Sequence, residues 1–349
     1  MIDISLNTLI FVTILMAIIL FILFFYLLLQ KKKEQDEIYK RRKLKEKLRP
    51  TISAFLFGEG EVQSRLIQKS IRGYEAICEI LEEYRSVMKE RIELTKLQAF
   101  AETQLGSYFE KQLHHKRWSI RMNTLYRIEL FHMKMFEKRL LDMLETGEVN
   151  STETYQVMRV LASFNSSKLQ EILFTTQNVW PRFIYREMLR RFDEEVLFQG
   201  EAVFNELPYP FQAAIMDRLT ERKDYNDLVF VEQQLQSKNL EIRVAALKII
   251  PQIGFIYNYD LLETFSRSAF FQERLMFARV VKVLKKERFK TILVVMLADS
   301  NWWVRNAAAE ALKTYQDGEF ILEYASENHK DQFARDMARQ WRNDGDVYE

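Results

Sequence analysis

The chain has 349 residues, 48% hydrophobic and 13% aromatic, with 51 Lys or Arg against 49 Asp or Glu. Its nine glycines, one cysteine and four histidines exclude several classes: no GxGxxG or GxxxxGK[ST] phosphate loop, no disulfide framework within the chain, and no HExxH metal motif. The formal charge of +2 is unevenly distributed, and its distribution is informative.

Residues 9–29 form a run of 21 in which only Thr13 is non-apolar and Tyr26 is amphipathic. As a helix the run spans about 31 Å, matching a hydrocarbon core of about 30 Å. It is too long and too bulky at its end for a cleaved signal peptide, and no basic residue precedes it. It therefore reads as a transmembrane helix behind a short extracytoplasmic tail, residues 1–8.

Residues 30–49 carry ten Lys or Arg against four Asp or Glu, which places this side of the span, and everything after it, in the cytoplasm. Setting aside this collar and Asp3 leaves 41 bases against 44 acids, so the body is slightly acidic and is not expected to bind nucleic acid. The collar reads first as a stop signal on a solvated helix. Lys31, Lys32, Lys33, Arg41 and Arg42 could in addition face anionic lipid, at about 1 kcal/mol per basic residue near the surface.

Pro50 and the stretch Phe57-Gly58-Glu59-Gly60-Glu61 mark a break. From Val62 through Leu66, Ile71, Tyr74, Ile77, Leu81, Tyr84 and Met88, apolar residues recur at helical spacing. This predicts one long helix and a shorter one ending near His115, together an N-terminal cap over residues 50–115; pairing with a second copy as a coiled coil is the alternative. Cys78 lies on an apolar face and is expected to be packed. His114 and His115 point in different directions on a helix and are not expected to hold a metal.

From residue 116 to 343 a period emerges. Arg243, Arg274 and Arg305 stand 31 residues apart, each followed at the third place by an apolar residue (Ala246, Phe277, Ala308) and at the seventh by another (Ile250, Val281, Leu312). Val231, Leu262, Leu293 and Tyr324 repeat in a second register of 31. Two apolar positions at one period are what stacked helix pairs require, since no single pair can bury its own face. Gln212, Arg182 and Arg121 keep part of the pattern, and the unit near Thr152 is barely recognisable.

The clearest unit, Leu297-Ala298-Asp299-Ser300-Asn301-Trp302-Trp303-Val304-Arg305-Asn306-Ala307-Ala308-Ala309-Glu310-Ala311-Leu312, resembles a HEAT repeat, more narrowly the short HEAT-like repeats also found in phycobilisome lyases. The resemblance implies an all-α fold: the single transmembrane helix followed by a right-handed α-solenoid of helix pairs that commonly binds other proteins. It also implies that the repeat arginine pairs with the turn aspartate, here Asp299 with Arg305. Ser237 and Ser268 stand where the sister units would need that aspartate, so the pairing is not available there; it is the internal register that makes Arg243, Arg274, Asp299 and Arg305 read as structural residues.

Departures from the repeat are candidate binding residues. Arg182, Arg186 and Arg190 make a basic stripe at i, i+4 and i+8, and sister units have Leu247, Ala278 and Ala309 where Arg186 stands. Such a stripe could grip an acidic segment, a phosphate or a nucleotide, or be a solvated face paired with Glu187 and Glu194. Trp303 takes a place held by Glu241 and Gln272, which makes Trp302 the expected core residue and Trp303 a candidate partner anchor, with simple packing against the next unit as the reading set against it.

Together these features describe a membrane-anchored cytoplasmic scaffold or adaptor, single-pass in the plasma or inner membrane, that binds a protein partner, a membrane protein being one candidate, and uses no cofactor or metal. It is not read as an enzyme. Alternatives are an accessory subunit of a membrane biosynthetic enzyme such as a polysaccharide-forming glycosyltransferase, a sensor of an anionic ligand, and last a lyase-like or nucleic-acid-modifying solenoid.

Overall fold

The computed structural model describes residues 6–58, 66, 70–88, 91–147, 150–175 and 179–343. Among these residues the chain is all-α: eighteen α-helices and short 3-10 turns, with no strand. Val62 and the glycine-rich stretch after Gly58 lie outside the described residues. The chain divides into two compact units, 1–164 and 165–349.

The first unit begins with α1 (Leu6–Phe57), a helix of 52 residues. Its apolar part is exposed along its length, from Phe11 at 66% to Leu29 at 57%, and it is long and apolar enough to cross a membrane. The helix does not end at Pro50, as expected from the sequence, but continues through it to Phe57. An interior proline costs about 3 kcal/mol. Beyond and before it, Leu48, Ile52 and Leu56 form an i, i+4, i+8 stripe that is 8%, 0% and 1% exposed; each such burial is worth about 1.5–3 kcal/mol, so packing outweighs the break.

The collar is locked to α2 (Ile71–Val87) by a row of ion pairs one helical turn apart. Arg72 is bidentate on Glu37 (2.5 and 2.9 Å), Arg41 donates to Glu79 (2.9 Å), Lys45 to Glu79 and Glu83 (3.0 and 2.7 Å), and Arg49 to Glu83 (2.5 Å). Hydrogen bonds from Lys45 and Arg49 hold the Glu83 carboxyl below its usual range. Arg41 is thereby turned to α2, whereas Lys31, Lys32, Lys33 and Arg42 stay exposed.

The apolar spacing after the collar forms two helices. α2 ends at the extended backbone of Met88, and α3 (Arg91–Leu113) starts three residues later. The break lets Ile77, Ile80 and Leu81 of α2 and Phe100, Ala101 and Leu105 of α3 all be buried, which one straight helix could not achieve. Cys78 is fully buried, and burial pushes its thiol up to about 12. The unit closes with α4 (Trp118–Leu130), α5 (Glu137–Thr146) and α6 (Ser151–Ser163), the last opened by an Asn150–Glu153 capping box.

The second unit opens with α7 (Ser167–Phe174) and then sets α8 (Arg182–Leu189), α10 (Tyr209–Arg222), α12 (Leu240–Ile253), α14 (Phe271–Leu284), α16 (Trp302–Lys313) and α18 (Gln332–Asn343) side by side. Their partners are α9 (Glu194–Ala202), α11 (Leu228–Gln234), α13 (Tyr259–Thr264), α15 (Lys290–Met296) and α17 (Gly318–Asn328). The 31-residue register is the core register: Ala246, Phe277, Ala308, Ile250, Val281 and Leu312 are all 0% exposed, as are Val231, Leu262 and Leu293. Tyr324 departs from it at 63% exposed, because in α17 the buried stripe passes through Leu322 and Ala325 instead. In α18, likewise, Phe333 faces outward and Ala334, Met337 and Ala338 face the core.

One half-buried acid in this unit has a measurable consequence. Burial, with the nearby Asp227 carboxylate, pushes Glu201 up to about 7, while Arg222 pulls the other way. The native state therefore binds more protons than the unfolded chain between about pH 4.5 and 7, and stability falls as pH rises through that window. Glu201→Gln is expected to be more stable than the parent above pH 7 by on the order of 1–2 kcal/mol, with the two converging below pH 4.5. Denaturant midpoints measured across that range check this; parallel pH profiles would refute it.

Candidate functional site: the arginine ladder and its exposed edge

At the first turn of α4, α12, α14, α16 and α18 an arginine folds back onto the turn that leads into its own helix. Nη1 donates to the carbonyl six residues earlier in each: Arg121 to His115 (2.7 Å), Arg243 to Ser237 (2.8 Å), Arg274 to Ser268 (2.7 Å), Arg305 to Asp299 (2.8 Å) and Arg335 to His329 (2.7 Å). Four of them also reach the next carbonyl, at 3.1–3.2 Å. In α10 the amide of Gln212 takes over this task, donating to Phe204 and Leu207. Carbonyls that a tight turn leaves without backbone partners are thus satisfied by one side chain per unit.

With Nη1 committed backward, the Nε edge reaches forward to the next unit. Arg121 pairs with Glu153 (2.6 and 3.1 Å), Arg243 with Glu273 (2.5 Å) and Arg274 with Asp299 (2.6 and 2.9 Å). This corrects the expected pairing within one unit. Asp299 gives Arg305 only its main-chain oxygen, while its carboxylate serves Arg274 of the unit before and caps the Asn301 N–H at 2.8 Å. Burial pushes the Asp299 carboxyl up, but the Arg274 and Asn301 hydrogen bonds outweigh it and hold the group below its usual value. Arg243 and Arg274 thus each reach a carboxylate of the following unit, while Arg305 reaches only the carbonyls of its own turn.

The basic stripe on α8 exists as geometry, but its ends carry charges from α10. Arg182 is bidentate on Asp217 (2.8 and 2.5 Å), and Arg190 pairs with Glu221. Between them Arg186 is half-buried, its Nε without a hydrogen-bond partner. A small cleft of about 310 Å³ runs from Arg182 past Tyr209 and Glu241 to Lys248 and Gln272.

Trp302 is not the core residue expected. Both tryptophans are exposed, at 42% and 59%, and meet edge to face at 4.7 Å. The physical reason is their place at the very start of α16, before the helix enters the stack; Val304 is the first buried residue. Phe270, Phe271 and Phe333 are exposed at the first turns of α14 and α18, so an aromatic strip lines this edge beside the arginines. Arg243 lies over Phe270 and Arg305 over Phe333, 5.9 and 5.0 Å from the ring centroids.

A larger cleft of about 840 Å³ lies in the first unit, lined by Arg85, Gln98, Tyr126, His132, Lys134 and Arg159 among others. Its residues come from several helices, so no linear spacing announced it. Among the described residues no three of His, Cys, Asp and Glu converge as a metal site would require.

Residues 290–318 match the HEAT repeat family model. No curated protein matches the chain. Among solved structures, the crystal structure of an engineered protein aligns over 78% of this chain and 79% of its own length, at 12% identity and a TM-score of 0.31. Residues 290–318 are thus similar to a HEAT repeat, within a chain that is all-α among its described residues.

Proposed function

We propose that this protein is a membrane-anchored cytoplasmic scaffold: α1 crosses the plasma or inner membrane with its short N-terminal tail outside, and the repeat units, read as the short HEAT-like type, hold a protein partner at the membrane surface. The observation that carries the reading is the continuity of α1. Its exposed apolar span passes without a break into a collar that is ion-paired to α2, so an anchored helix would impose its position on the first helical unit rather than trail a loose linker. The flanking charge gives the orientation. The exposed aromatic edge of the second unit supports the binding role, since aromatic side chains are frequent interface anchors.

Crosslinking in intact membranes, followed by purification under denaturing conditions, is expected to recover a specific protein in addition to lipid. Recovery of bulk lipid alone would remove the scaffold reading. Protease added to sealed inside-out vesicles is expected to digest everything beyond the collar, and protection of that region would reverse the topology. An accessory role beside a membrane-bound biosynthetic enzyme is a special case, decided by the identity of the crosslinked partner.

A further inference from the structure

The cleft of about 840 Å³ in the first unit carries positive charge that the surrounding helices do not neutralise. Three cations line it: Arg85 from the last turn of α2, Lys134 from the turn after α4, and Arg159 from α6. Arg159 is opposed by Glu129 at 3.6 Å, and that carboxylate also accepts from the Gln156 amide at 2.7 Å. Arg85 and Lys134 meet no carboxylate among the described residues. Elsewhere in the unit the pattern is the opposite: Arg121 reaches Glu153, Arg127 reaches Glu75 and Glu82, and Lys45 reaches Glu79 and Glu83. Beyond α4 the backbone of His132 is left-handed, φ +52°, and the chain turns so that His132 and Lys134 line the same cleft. Burial pushes the half-buried His132 imidazole down, and Lys134 and Arg85 add to this against the opposing pull of Glu102. The ring is therefore neutral near pH 7. Glu102 itself accepts from the Gln98 amide and the Met135 N–H. Two uncompensated charges remain in the cleft, those of Arg85 and Lys134.

We propose that this cleft binds a small phosphorylated metabolite: Arg85 and Lys134 hold the phosphoryl oxygens, His132 adds a ring N–H, and the organic part of the ligand lies on Tyr126 and Leu130. A phosphate monoester carries about −1.5 to −2 charges at pH 7, which matches the two unmatched cations. A guanidinium fork and an ammonium are the side chains that recognise phosphoryl groups best. The volume falls in the range of about 300–1,000 Å³ usual for small-molecule sites, and Tyr126 and Leu130, 47% and 39% exposed, supply an apolar wall. A lipid headgroup offers the same chemistry, but the place of the cleft favours a soluble ligand. Glu83, two residues before Arg85, pairs with Arg49, and Arg49 stands twenty residues beyond Leu29, about 30 Å of helix. An anchored α1 thus carries the cleft clear of the bilayer surface. The phosphoryl site stands whether or not the repeat units hold a protein partner.

Calorimetric titration of the full chain in non-ionic detergent micelles tests this, with inorganic pyrophosphate, glucose 6-phosphate and ATP as probes and citrate as the carboxylate control. At least one phosphoryl probe is expected to bind saturably, and citrate at least about tenfold more weakly. Arg85→Gln and Lys134→Gln leave no carboxylate unpaired, so both are expected to melt as the parent does while each weakens the bound probe about tenfold. Lys32→Gln combined with Lys33→Gln, in the exposed collar, is expected to change nothing. Binding of none of the three phosphoryl probes would overturn the proposal. So would equal binding by the parent and the Arg85→Gln, Lys134→Gln double variant, or loss of binding in the collar variant. Citrate bound as tightly as the phosphoryl probes would overturn the phosphoryl class. Displacement of the probe by phosphatidylglycerol added to the micelles would overturn the soluble source and assign the site to a lipid headgroup.

Discussion

Asp299→Ala is expected to destabilise the second unit by about 3 kcal/mol, because one side chain holds two units together. Its carboxylate, about 9% exposed, receives both Nε and Nη2 of Arg274, itself 14% exposed, and the Asn301 N–H that opens α16. Alanine leaves a largely buried guanidinium with main-chain contacts only, and strips the start of the next helix of a hydrogen bond. Asp299→Asn retains an acceptor for Asn301 and is expected to lose less. The two contributions separate by pH. Because the folded-state pKa of Asp299 is held below its ordinary 3.8, the charged pair contributes fully above that value, and its contribution is lost as pH falls through the depressed one. The gap between parent and Asp299→Asn should therefore narrow in acid, whereas Asp299→Ala should keep part of its deficit. Chemical denaturation of the parent, the two variants, and each combined with Arg274→Ala measures this. Additive losses for Asp299→Ala and Arg274→Ala would refute the coupling.

Gly318→Val is expected to cost about 3 kcal/mol or more. The glycine opens α17 immediately after α16, and a Cβ built on it would lie 2.0 Å from the Leu312 carbonyl oxygen, 2.9 Å from its carbon and 3.1 Å from the Lys313 Cα. These are backbone atoms that no rotamer change can move, so the side chain can enter only if the two helices part. Their separation would open the buried contacts of Leu312 and Leu322. Gly254→Ala is the control. That glycine has φ +78° and nothing within 4 Å of the added carbon, so its cost is limited to the left-handed backbone, about 1 kcal/mol. Thermal melting of the two variants decides the point; equal losses would show that the α16–α17 joint tolerates a side chain.

The parts of the fold that were legible in sequence are those governed by nearest-neighbour packing. Phe277 and Val281 fall at fixed places after Arg274 because each helix buries the same stripe against the helix one unit away, and a repeated burial leaves a repeated letter. The ladder partners were not legible in the same way. The Nη1 contacts of Arg243 and Arg305 end on main-chain carbonyls, which have no residue identity to read, and the Nε contacts draw their acid from either of two positions in the next unit. Pro50 misled for a related reason: local preference says that a helix stops there, and the burial of Leu48 before it and of Ile52 and Leu56 after it keeps it going.

Trp302 and Trp303 show the same limit at the candidate site. Alignment of equivalent positions picked Trp303 out as a departure, but could not say that Trp302 shares its exposure. Arg182 and Arg186 stand on α8 and Arg190 at its C-cap, while Asp217 and Glu221, more than 25 residues away, meet the charge at both ends of the stripe.

By itself the sequence determined the all-α class, the apolar N-terminal helix, the 31-residue period and the phase of its buried face, because each depends on spacing along one helix or on repetition of one unit. Only the tertiary structure decided which carboxylate meets which arginine and that α1 runs through its proline. Those outcomes depend on contacts between residues far apart in sequence, which no spacing along one helix records.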